Sequence, residues 1–218
     1  MMRIPRINNY RGIKVAREVN TEGLEFSKPV YIFYNEKSRN KFIKRIEKIV
    51  RSSLEYREFI NYLRESLGMN FCTFFNNVSK SKGKKIGIEI HHMPFSLYDI
   101  TSIVLKKYET EELPIDPYVI AEEVIKLHYT GKVGLIPLST TVHELYHRGD
   151  LFIPLQIVDK GYLLFYKEYK EYMEEYNDIL ATLIKLSKQY DASQGTPLLE
   201  KNLVKVNNGY NSTPNTIY

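Results

Sequence analysis

Two short stretches, IEIHH (Ile88–His92) and STTVHELYHRG (Ser139–Gly149), contain four of the five histidines in this chain. His143 and His147 are four residues apart, so on a helix both imidazoles leave one face and can chelate a single metal ion. IEIHH alternates as a strand does, and adjacent strand residues point to opposite faces. One of His91 and His92 can therefore face a metal while the other faces a substrate. A strand ending in two histidines, then a later strand, a turn and a helix with H-x-x-x-H, together make a ββα-metal arrangement.

The second stretch also spells H-E-x-x-H, the zinc-protease pattern. In that reading Glu144 is the general base beside zinc on His143 and His147, and the third ligand follows downstream, at Glu168 or Glu171. Against it, the helix bearing the motif starts only about three residues before His143 and meets Gly149 just after His147. A structural pair of surface histidines is the bland alternative. His128, in VIKLHYTG, reads as a packed or surface histidine.

The rest of the chain supplies a mostly helical α+β frame. Residues 1–20 carry Arg3, Arg6, Arg11, Lys14 and Arg17 without clear periodicity, as in a basic arm. EFSKPVYIFY reads as a short strand. From Ser38, Phe42, Ile46, Ile49 and Val50 recur at helical spacing opposite basic residues, and YREFINYLRESLG continues into a second helix ending at Gly68. NNVSKSKGKK reads as a basic turn-rich loop before the IGIEI strand. LYDITSIVLKKY and DPYVIAEEVIKLHYTG come next as helices, the second with Asp116 as N-cap and Pro117 in its first turn. KVGLIPL reads as a strand and STTVHELYH as a short helix. A long helix is expected from about Tyr162 to Tyr190, and an Asn-rich, aperiodic tail after it.

The expected division is a basic helical DNA-contact region at 1–70 and a ββα core at 71–160 with a helical insertion at about 95–131. A C-terminal helix at 161–190 and a flexible tail at 191–218 complete it.

Charge sharpens the partner question. Residues 1–85 hold 19 Lys or Arg against 8 Asp or Glu, and the remainder 12 against 18, so a front half at +11 precedes a back half at −6. A basic half suits an anionic partner such as nucleic acid, because neutralising phosphates releases condensed counterions. A solvated lysine-rich face would give the same excess. The single cysteine, Cys72, excludes an internal disulfide and paired-cysteine zinc ribbons, and it reads as a buried small hydrophobe. No apolar run approaches the roughly 20 residues of a membrane helix, and MMRIPRINNYRG lacks a signal-peptide core. A cytoplasmic protein is expected, or one of the host cytoplasm if phage-encoded.

Taken together, IEIHH, the strand GLIPL and STTVHELYHRG resemble the HNH endonuclease family, closest to the colicin-type nuclease motif. The resemblance covers about 25 residues. It implies a ββα-metal core in which His92 is the general base activating water and His91, His143 and His147 hold one divalent ion. Glu89 matches a family acid near the scissile phosphate, and Arg148 a basic residue beside the last ligand. The family's middle Asn, which pins the loop carrying the base, falls near Gly134, so another acceptor must hold His92, with Asp99, Ser139 or Thr140 as candidates.

The resemblance further implies hydrolysis of phosphodiester bonds in DNA, or RNA, with no membrane involved. Three imidazoles favour zinc, nickel or manganese over magnesium. A neutral imidazole with a pKa near 6.5 suits a general base at neutral pH. Lys80, Lys82, Lys84 and Lys85, just before the histidine strand, are expected to contact phosphates without reading sequence. The family is frequent in phages, mobile elements and bacterial toxins. Two other outcomes remain open: the zinc protease on His143, Glu144 and His147, and a non-catalytic nucleic-acid-binding or virion protein with a degenerate nuclease fold.

Overall fold

A computed structural model describes Phe33, residues 35–79 and residues 87–189. The expected basic arm, nearly all of the strand at 25–34, the four lysines Lys80, Lys82, Lys84 and Lys85, and the C-terminal tail lie outside the described residues. In chain order the elements are α1 (Glu36–Ser52), α2 (Leu54–Glu65), β1 (Phe71–Cys72), β2 (Phe75–Ser79), β3 (Ile88–His92), α3 (Leu97–Thr110) and α4 (Pro117–Tyr129). β4 (Leu135–Ser139), α5 (Thr140–His147), α6 (Gly161–Tyr169) and α7 (Asn177–Gln189) complete the order. The protein is a mostly helical α+β chain. No described helix is long and apolar enough to cross a membrane.

The described residues divide into two compact units, one lying within 1–59 and 97–132, the other within 60–96 and 133–218. The boundary falls within α2, and the segment between the two histidine stretches contributes α3 and α4 to the first unit.

In that helical unit α1 opens with a capping box. The Asn35 side chain accepts from the Ser38 backbone N–H at 2.9 Å, and the Ser38 hydroxyl faces the Asn35 backbone N–H in return. Phe42, Ile43, Ile46 and Val50 leave one face of α1 and are buried against α3 and α4. Each such side chain contributes about 1.5–3 kcal/mol, well above the ~0–1 kcal/mol of an exposed ion pair. The interface also has polar fasteners. Arg39 pairs with Glu109 at 3.2 Å and donates to the Ser102 hydroxyl at 3.1 Å, while Glu123 receives Lys107 and the Tyr108 hydroxyl, each at 2.8 Å. The expected start of α4 is present: the Asp116 carboxylate accepts from the backbone N–H groups of Tyr118 and Val119, and Pro117 occupies the first turn. His128 is buried with the rings of Tyr56 and Phe59 at its edges, its Nδ1 bonded to the Val124 carbonyl at 2.7 Å.

In the second unit β3 and β4 pair antiparallel, with Ile88 opposite Ser139, His91 opposite Ile136 and His92 opposite Leu135. Thr73, at the turn between β1 and β2, donates its backbone N–H and its hydroxyl to the Pro137 carbonyl, each at 2.9 Å, which ties that hairpin to β4. Ser139 ends β4 and caps α5, its hydroxyl accepting from the Val142 N–H. Gly149 stops α5 at φ +75°, a left-handed conformation that favours glycine.

Two expected elements differ. The loop expected from Asn76 begins as strand, because β2 runs to Ser79 and pairs with β1, and that pairing overrides the poor strand propensity of asparagine. The single C-terminal helix is two, α6 and α7, joined by 3-10 turns at Lys170–Tyr172 and Glu174–Tyr176. Asn177 and Asp178 explain the restart: these residues are poor in a helix interior but favourable in a first turn, where an acidic side chain meets the positive end of the helix dipole. Tyr162, Phe165, Tyr169 and Met173 remain buried in one row across the first turn. Periodicity therefore hid the break.

Candidate metal centre

Strand β3 presents His91 on the face it turns toward α5, and α5 presents His143 and His147 one turn apart. One ligand nitrogen from each lies within 4.8 Å of the others. His143 Nε2 is 3.0 Å from His91 Nδ1 and 3.0 Å from His147 Nε2. Two nitrogens on one tetrahedral ion, each about 2.05 Å from it, sit roughly 3.3 Å apart, so small ring movements suffice to admit an ion. The zinc-protease ligand set is not assembled: among the described residues the third member of the group is His91, and neither Glu168 nor Glu171 belongs to it.

Glu89 lies two residues before His91 on the same face of β3. Its Oε2 is 3.0 Å from His143 Nδ1. A proton on that Nδ1, donated to the carboxylate, leaves Nε2 as the bare nitrogen turned toward the other two rings. This is the usual way a carboxylate fixes the tautomer of a metal-binding histidine. The resemblance puts Glu89 beside a scissile phosphate, whereas here its carboxylate engages the ring of His143. Tyr146, three residues after His143 and so on the same side of α5, lays its ring against His91 at 5.0 Å and donates its hydroxyl to Met93 Sδ at 3.2 Å. Sequence reasoning passed over Tyr146, although its i+3 spacing from His143 was the available signal.

The electrostatics favour neutral rings at His91 and His143. Burial, aided by the neighbouring rings of His143 and His147, pushes His91 down to about 4. Burial also lowers His143, with His147 acting in the same direction and Glu89 and Glu144 opposing. Neutral rings with converging lone pairs are the protonation state a divalent transition ion requires. The donor set therefore fits such an ion.

His92 points to the opposite face of β3 and is buried, with 7% of its surface exposed. The Ser139 hydroxyl is taken by the α5 cap, Thr140 donates to the Gly87 carbonyl, and Asp99 belongs to the helical unit. Gly134 stands where the resemblance asks for Asn, and a Cβ there would fall 1.9 Å from the Met93 carbonyl oxygen. That carbonyl approach and the Met93 N–H donated to the Gly134 carbonyl at 3.0 Å leave no room for a side chain. Arg148 is exposed and paired with Asp150 at 3.0 Å.

With the three imidazoles and Glu89 placed, the chain matches the family of bacteriophage G278-like virion proteins over residues 8–211. The chain belongs to that family. The match spans both units and the candidate centre, so the histidine cluster is part of a virion protein. No curated protein and no solved structure matches the chain.

Proposed function

We propose that this virion protein is a nucleic-acid-binding component of the phage particle that holds one divalent ion on His91, His143 and His147, in a nuclease-like ββα unit whose expected base, His92, is buried. The observation that carries the metal is the convergence of three imidazole nitrogens within 4.8 Å, one of them oriented by Glu89. What argues for binding rather than cutting is His92. A general base must come within about 3.2 Å of the water it deprotonates, and His92 is buried on the far face of the strand from His91. A divalent ion at the centre supplies Lewis acidity toward a phosphate oxygen. His147 is exposed, so a phosphate can reach the imidazoles without rearrangement of the core.

That exposure also favours a second reading, hydrolysis of the phosphodiester, since a catalytic metal site keeps a position open. The two separate in one experiment. Supercoiled plasmid is incubated with the full chain and manganese, zinc, nickel or magnesium, then assayed for retention on the protein and for nicking. Retention that a chelator and His143→Ala both weaken, without nicking, is the expected result. Nicking abolished by His92→Ala would replace the binding role with an endonuclease, and retention indifferent to chelator and to His143→Ala would remove the metal from the function.

A further inference from the structure

The outer face of α1 is an uninterrupted strip of positive charge. At 100° per residue, Lys37, Lys41, Lys44, Lys48 and Arg51 fall within about 80° of arc, and the strip runs about 21 Å along the axis. All five are exposed. Phe42, Ile43, Ile46 and Val50 occupy the opposite side and are buried. The seventeen residues of α1 carry seven cations and two acids. Arg39, on the inner side, is engaged with Glu109 and Ser102. The acids, Glu36 and Glu47, both lie to one side of the strip, where Glu47 meets Arg51 at 3.8 Å. Lys37, Lys41 and Lys44 also border a shallow open depression with Glu36 and Asn40.

We infer that this face of α1 is a docking surface for the phosphate backbone of nucleic acid. It lies in the helical unit, apart in sequence from the histidine cluster, and needs no metal. Its chemistry selects the partner. Protein interfaces deplete charge at their centre and anchor on aromatic or aliphatic side chains, and the strip exposes none. Binding along a membrane surface requires an apolar face to enter the headgroup region, and the apolar face of α1 is buried within its own unit. A row of lysines at intervals of three and four residues fits a linear array of phosphates, which lysine meets as a point charge without bidentate readout. The strip is as long as about six base-pair steps at ~3.4 Å each.

The test uses the full chain with chelator present, so that a failure of the metal centre cannot mimic a failure of the strip. Anisotropy of a labelled 20-base-pair duplex and of a 20-nucleotide single strand is titrated at several salt concentrations. Wild type is compared with Lys37→Gln, Lys41→Gln, Lys44→Gln and Lys48→Gln combined, a change that keeps helix propensity. Binding about tenfold weaker or more at low salt is expected. The slope of log affinity against log salt should fall by about 3.6 on duplex, or about 2.8 on single strand, for four lost contacts. Cations elsewhere in the chain cancel in this difference. An unchanged affinity and slope would overturn the inference. Competition by polyglutamate as effective as that of DNA at equal charge would also overturn it, in favour of an acidic protein partner.

Discussion

Glu89 fixes the ring of His143: its carboxylate meets Nδ1 at 3.0 Å and turns Nε2 toward His91 and His147. Such carboxylates typically contribute 10- to 100-fold in metal affinity. Glu89→Ala should therefore weaken zinc binding by about that factor without abolishing it, measured by competition with a chromogenic chelator. An unchanged affinity would mean that the Glu89 contact does not orient a ligand.

Protons compete with an ion for imidazole nitrogen, so affinity must fall in acid, and the question is where. An unperturbed histidine protonates below about 6.5, but His91 is held down to about 4 and His143 is lowered as well. Between pH 7 and pH 5.5 the affinity for nickel should consequently decline less than that of a free imidazole ligand. A titration series by calorimetry checks this, and a steep loss beginning at pH 6.5 would show that burial does not keep His91 and His143 neutral.

His128 gives a pH dependence in the helical unit. Burial holds its folded value at about 4 against 6.5 unfolded. Below 6.5 the unfolded chain takes up a proton that the folded chain refuses, so stability is lost as pH falls from 6.5 to 4. The total is about 3 kcal/mol at 1.36 kcal/mol per pH unit. His91 titrates in the same range, so the informative quantity is the difference from His128→Leu. In urea unfolding of metal-free protein, that variant should be less stable at pH 7 yet lose about 3 kcal/mol less on acidification.

Gly134 admits no side chain, since its Cβ would sit 1.9 Å from the Met93 carbonyl oxygen. Gly134→Ala should cost about 3 kcal/mol or more, because backbone atoms must move, and Gly134→Asn should be no better tolerated. Thermal melting of both variants decides it. A melting temperature within a degree of wild type would show that the backbone at Met93 and Gly134 yields easily.

The local parts of this molecule were legible in the sequence. His143 and His147 at one-turn spacing, the alternation of IEIHH, and the cap and first turn of α4 at Asp116 and Pro117 all depend on neighbours in the chain. Elements fixed by distant partners were not readable. The two-residue strand β1 exists through its pairing with β2, and its hairpin is tied to Pro137 through Thr73. The grouping of α3 and α4 with α1 rests on side chains such as Glu109 meeting Arg39 across 70 positions. The break between α6 and α7 was signalled by Asn177–Asp178, but the apolar row from Tyr162 to Met173 masked it. At the site, spacing paired His143 and His147, and the resemblance added His91 to them. The Glu89 contact with His143 and the burial of His92 depend on the register of β3 against β4, which no short motif encodes.

The claim on which the function rests is that His91, His143 and His147 hold one ion together. Titration of the metal-free chain with cobalt(II), followed by visible absorption, tests it most directly, because a site with three imidazoles and low coordination gives a strong visible band. One cobalt per chain is the expected result, with the band lost in His143→Ala and retained in His92→Ala. Absence of a saturable band in wild type, or a band that survives His143→Ala, would contradict it.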